Sequence, residues 1–94
     1  MTKTELQKQR VKAVLEFLTE QFDAQIEDAD GGRLDITIGE FNGQIMRRDL
    51  QVEFWDSIPL HGHGFTPAEV LFQQEAVAFE KQINDEINKL LCTI

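Results

Sequence analysis

The stretch Leu34-Asp35-Ile36-Thr37-Ile38-Gly39-Glu40-Phe41-Asn42-Gly43-Gln44-Ile45-Met46 decides the fold of this chain. Leu34, Ile36 and Ile38 alternate with polar residues, which is the period of a half-buried strand, and Asn42-Gly43 is a hairpin signal. A two-residue turn at Asn42-Gly43 pairs Ile38 with Arg47 and Ile36 with Asp49, mixing apolar and charged side chains on one face. A three-residue loop at Phe41-Asn42-Gly43, with Gly43 left-handed in a G1 bulge, instead pairs Ile38 with Met46 and Leu34 with Leu50, so the apolar sets coincide. The same loop type at Ala29-Asp30-Gly31 aligns Ile26 with Leu34 and Ala24 with Ile36. The expectation is a three-stranded antiparallel meander with two G1-bulge hairpins. Its outer face carries Gln25, Glu27, Asp35, Thr37, Arg47, Asp49, Gln51, Glu53 and Trp55, while Arg48 falls inside, opposite Ile36, with its stem lying along an edge strand.

A helix flanks the strands on each side. From about Thr4 to Phe22, Val11, Val14, Leu15, Leu18 and Phe22 recur at helical spacing without Gly or Pro, and Leu6, Ala13 and Phe17 form a second, narrower stripe. At the other end, Phe65-Thr66-Pro67-Ala68-Glu69-Val70 supplies an N-cap Thr, Pro at the first helical position, Glu three residues after the cap, and Phe65 against Val70 as a staple. The apolar stripe Phe72, Ala76, Phe79, Ile83, Ile87 and Leu90 carries that helix to about Leu91. The fold class is therefore α+β, in the order αβββα, with both helices on one sheet face. Residues 1–94 read as one domain. Twenty-five helical residues span about 37 Å against about 25 Å for a strand, so the last helix must overhang the sheet. Overhanging apolar residues need cover, and with Leu6 and Phe17 the residues Ile87, Leu90 and Leu91 are the expected homodimer interface.

Charge sets the partner class. The net charge is −8, and the segment from Glu16 to Asp56 alone holds eleven carboxylates against Arg33, Arg47 and Arg48. The first fifteen residues are instead basic, through Lys3, Lys8, Arg10 and Lys12 against Glu5. A field of one sign repels nucleic acid and anionic membrane and steers basic partners inward. No signal peptide or membrane-spanning apolar run is present and Cys92 is the single cysteine, so a cytoplasmic location is expected and an internal disulfide is excluded.

Reactive side chains gather only between Asp56 and Gly64. His61 and His63 face one way in an extended chain and, with Asp56, make three ligands where a structural zinc site usually takes four; the loop reads instead as a glycine-hinged connection. Asp56, Ser57 and His61 hold the elements of a nucleophile and its base, but Ser57 lacks a Gly-x-Ser-x-Gly elbow. The pairs Glu27-Asp28 and Asp85-Glu86 diverge and are solvated, Asp28-Asp30-Gly31 lacks a calcium-loop frame, and Cys92 has no activating cation. No catalytic residue, metal ligand or cofactor is assigned.

The element order is that of double-stranded-RNA-binding domains, although the lysine-rich start of their last helix is replaced here by Thr66-Pro67-Ala68-Glu69. It also resembles the YbaB-like nucleoid-associated proteins, with Gly32-Arg33-Leu34-Asp35-Ile36-Thr37-Ile38 at the central strand and Arg47-Arg48 at a basic pair. That resemblance implies a small DNA-binding dimer, in which the basic first helix would contact DNA. The residues themselves favour a small non-enzymatic interaction module, an inhibitor or adaptor of the kind phages and mobile elements encode, acting as a nucleic-acid mimic. Trp55 and Phe41 are its expected anchors and Asp35, Asp49 and Glu53 its steering charges toward a basic protein surface. A structural subunit of a larger assembly is the remaining class.

Overall fold

A computed structural model describes residues 2–59, 62 and 64–94. The first helix, α1 (Lys3–Phe22), starts where Thr2 accepts a hydrogen bond from Glu5 N at 3.1 Å, and it stops at Asp23, which turns left-handed at φ 55°. Four strands follow, β1 (Gln25–Asp28), β2 (Arg33–Ile38), β3 (Phe41–Met46) and β4 (Val52–Phe54), in one antiparallel sheet whose spatial order is the chain order. The last helix, α2 (Pro67–Leu91), opens as its sequence foretells, with Thr66 Oγ1 accepting from Glu69 N at 3.2 Å and Pro67 in the first turn. The architecture is α+β, and no helix among the described residues is long and apolar enough to cross a membrane.

Both helices lie on one sheet face. Val14 and Leu18 from α1, and Ile83 and Ile87 from α2, meet Leu34, Ile36, Ile38, Ile45, Val52 and Phe54 in a single buried cluster. At one end, Phe79 is the hub of an aromatic group, with its centroid 5.9 Å from Phe22, 5.6 Å from Phe41 and 5.8 Å from Phe54. At the opposite end, the Gln7 side chain of α1 donates to Arg47 O, and Gln51 Nε2 donates to Asn88 Oδ1 of α2 at 2.9 Å. The helices are thus antiparallel, with the end of α1 and the middle of α2 at one pole and the start of α1 and the end of α2 at the other.

The sheet departs from the expected meander in strand number and in register. Gly39-Glu40 makes a two-residue turn, Gly39 taking φ 59°, and pairs Ile38 with Phe41, Ile36 with Gly43 and Leu34 with Ile45. Asn42-Gly43 therefore lies inside β3, and the expected third strand divides into β3 and β4. Gly43 is there for close approach: a Cβ on it would sit 2.7 Å from Phe54 Cα. In the first hairpin Ile26 pairs with Ile36 and Asp28 with Leu34, two residues out from the expected register, because Asp30–Gly32 forms a short 3-10 turn with Gly31 at φ 74° and Gly32 at φ 76°. Neither expected G1-bulge pairing forms. Arg48 lies exposed in the turn after β3 and not on the inner face, and Met46 faces out beside Arg33. With four strands, the order also differs from the three-strand order shared by the two families noted above.

Candidate functional site

The outer sheet face brings together what the sequence keeps apart. Strand pairing sets Glu27 opposite Asp35, Asp35 opposite Gln44, and Gln44 opposite Glu53, so one row across all four strands reads Glu-Asp-Gln-Glu. Like charges directly opposite each other are destabilising in a sheet, a repulsion that the cation of Arg33 beside Asp35 partly offsets. Arg33 Nε lies 3.3 Å from Asp35 Oδ1, an ion-pair distance without hydrogen-bond alignment, and that oxygen is shielded from solvent. Arg47 turns aside to pair with Asp28. Glu27 and Glu53 have no ion pair among the described residues.

Beside this row, at the β4 edge, lies a recess of about 370 Å³. Met46, Ile58 and Pro59 give it an apolar wall and Asp49, Glu53 and Glu80 its carboxylates. Asp49 Oδ1 accepts from Gln51 N at 3.1 Å, which holds the turn into β4, and Glu80 is engaged as described next; Glu53 is the carboxylate left open. Ile58, 48% exposed, also lines a second recess of about 220 Å³ with Trp55, Asp56, Glu69, Phe72 and Gln73. Trp55, 49% exposed, thus stands next to the acidic row through Ile58 and not within it.

What positions β4 is a polar stripe on α2. Val52 N donates to Asn84 Oδ1 at 2.7 Å, and Asn84 Nδ2 donates to Val52 O at 2.9 Å. Phe54 N donates to Glu80 Oε1 at 2.7 Å, and Ser57 Oγ lies 2.8 Å from both that oxygen and Phe54 O. Gln73 Nε2 reaches Ser57 O at 3.1 Å. Side chains of one helix thereby occupy the outward backbone groups of an edge strand, which would otherwise recruit another strand. The spacing Gln73, Glu80, Asn84, Asn88, by sevens and fours along one helix flank, was the available signal for this clasp.

The expected site residues separate into three groups. Asp35 and Glu53 share the outer row, Asp49 borders it, and Trp55 adjoins it. Phe41 is on the other side of the sheet, half-buried and stacked on Phe72 at 5.0 Å and beside Phe54 at 5.5 Å, because the Gly39 turn reverses the facing that a loop position would give it. Of the expected interface, Ile87 is wholly buried within its own chain, and Leu90, Leu91 and Phe17 pack against the same core. Leu6 is half-buried on α1. The exposed apolar residues of α2 are instead Val70, Leu71 and Val77, in its first three turns. His61 and His63 lie outside the described residues, and Ser57, which the sequence gives no nucleophile elbow, serves the β4 clasp. Among the described residues no group of three or more His, Cys, Asp or Glu side chains is placed to hold a metal ion. No protein-family model, curated protein or solved structure matches the chain.

Proposed function

We propose that this chain is a non-enzymatic protein-interaction module, an inhibitor or adaptor, that docks a basic partner surface on its outer sheet face. The observation that carries the reading is Glu53, a carboxylate with no partner among the described residues, at the junction of the acidic row and the apolar-walled recess. Such a junction matches the two halves of a Lys or Arg side chain: the aliphatic stem lies on Met46, Ile58 and Pro59, and the cationic head meets Glu53 and Asp49. Trp55 and Ile58 are the exposed apolar anchors next to it, and they replace Phe41 in that role. The net charge of −8 supplies long-range steering toward a basic surface, and carboxylates gathered on one sheet face offer the charge sign that a nucleic-acid-binding surface complements. Holding Glu27 against Asp35 at a cost in stability also favours selection of this face for recognition.

The test is capture of partners from a lysate by immobilised protein, compared with two variants of equal net charge. Glu27→Lys with Glu53→Lys reverses two of the three carboxylates of the outer row, and Glu16→Lys with Glu20→Lys makes the same change of charge on α1. Loss of a basic partner in the first variant alone supports the reading. Equal loss in both reduces it to a net-charge effect and ends it.

A further inference from the structure

Two recesses of opposite lining charge lie toward the two ends of the molecule, which is 53 Å long. At the pole where α1 starts, Lys3, Lys8, Lys12 and Arg47 line a groove of about 750 Å³ with Val11 and Leu15; Glu16, 4.0 Å from Lys12, is the one carboxylate lining it, and Arg47 is paired with Asp28, leaving Lys3 and Lys8 without an ion pair among the described residues. Arg10 takes no part in that lining, and its shielded Nε has no hydrogen-bond partner. At the opposite pole, Asp23, Glu40 and Glu75 rim a recess of about 390 Å³ floored by Phe22, Phe41 and Phe79. Beside it the first three turns of α2 bury no residue before Ala76, and they expose Val70, Leu71 and Val77. With Gln74 and Ala78 these fall at i, i+1, i+4, i+7 and i+8, the pattern of a helix that packs on another element, and Glu75 borders the stripe.

We propose that a second copy of this chain covers both poles in a closed, two-fold dimer. The basic groove on α1 of one copy receives the acidic, apolar start of α2 of the other, and the reciprocal contact forms at the far end. One recess is lined mainly by cations and the other by carboxylates alone among its charged residues, and each has apolar residues to bury. Because the two patches sit at opposite poles of one chain, a two-fold axis makes both contacts at once and doubles the buried area toward the roughly 1,200–2,000 Å² of a specific interface. None of Glu27, Asp35, Gln44 and Glu53 lines either recess, so the proposal stands or fails separately from the one above.

Sedimentation equilibrium across low to high micromolar concentration tests it, with added salt as a second variable. The expected result is a monomer–dimer equilibrium that salt weakens, and at least a tenfold loss of association in Leu71→Glu. Lys8→Glu with Lys12→Glu, which makes both poles acidic, and Glu40→Lys with Glu75→Lys, which makes both basic, should each be monomeric alone. Mixed in equal amounts, these two variants should dimerise with one another. All five substituted residues are exposed, so unchanged circular dichroism separates lost association from lost folding. A wild-type chain that stays monomeric, oligomers that grow without limit, or a mixture that stays monomeric overturns the proposal. So does a monomer that shifts duplex DNA through Lys8 and Lys12, which would assign the groove to nucleic acid.

Discussion

Asn84 holds Val52 by both faces of its amide, accepting from Val52 N at 2.7 Å and donating to Val52 O at 2.9 Å. A helical side chain thus stands in for the next strand of the sheet. Glu80 repeats the arrangement one turn earlier on Phe54 N, and Asn88 holds Gln51 one turn later. The result fixes β4, and with it Glu53, Ile58 and the recess they border, to the most regular element of the chain.

Replacing Asn84 by Leu removes both bonds and leaves a donor and an acceptor of Val52 facing an apolar group. The expected loss is about 2–4 kcal/mol in urea unfolding. Asn88→Ala, at an exposed hydrogen bond, should cost less than about 1 kcal/mol. Freed edge groups should also make Asn84→Leu associate irreversibly on heating. Equal effects of the two substitutions would show that the clasp carries no special weight.

Gly43 and Gly39 should respond differently to alanine. A Cβ at Gly43 meets Glu53 O and lies 2.7 Å from Phe54 Cα, so β3 and β4 must separate, at about 3 kcal/mol or more. Around Gly39 there is open space, and only its φ of 59° opposes a side chain, at about 1–2 kcal/mol. Thermal unfolding of the two variants measures the difference. Gly43→Ala should also lower affinity for any outer-face partner, because Glu53 moves with β4.

Phe41 and Trp55 separate packing from recognition. Phe41→Ala opens the aromatic group around Phe79 and should lower stability by about 2–4 kcal/mol, with partner affinity unchanged once the protein is folded. Trp55→Ala should change stability by less than about 1 kcal/mol and weaken partner capture about tenfold or more. Denaturant titration and binding on the same two variants check the pair.

The helices were legible in the sequence because their signals are local. Thr66-Pro67-Ala68-Glu69 carries the start of α2, and unbroken 3.6-residue periodicity carries its length to Leu91. The sheet was less legible because two glycines near one turn compete for it. Asn42-Gly43 has the stronger hairpin composition, yet Gly43 is in β3 for its lack of a Cβ, a tertiary demand of the β4 backbone that leaves no local mark. Leu50 adds to the difficulty: it is buried and takes φ 58°, a conformation that composition does not announce. Asp35 and Glu53 were placed correctly on the outer face because strand alternation survived the change of register in β2 and β4. Phe41 was misplaced for the same reason that the turn was, since its facing depends on whether the chain reverses before it or around it.

The most direct measurement of the central claim is the association rate of the captured basic partner as a function of ionic strength. For the wild-type chain the rate should fall steeply with salt, as steered encounters do, and Glu27→Lys with Glu53→Lys should slow it at least tenfold at low salt and flatten the dependence. The charge-matched Glu16→Lys with Glu20→Lys variant should keep most of both. If the outer-row variant binds with the wild-type rate and salt dependence, the outer sheet face is not the partner surface.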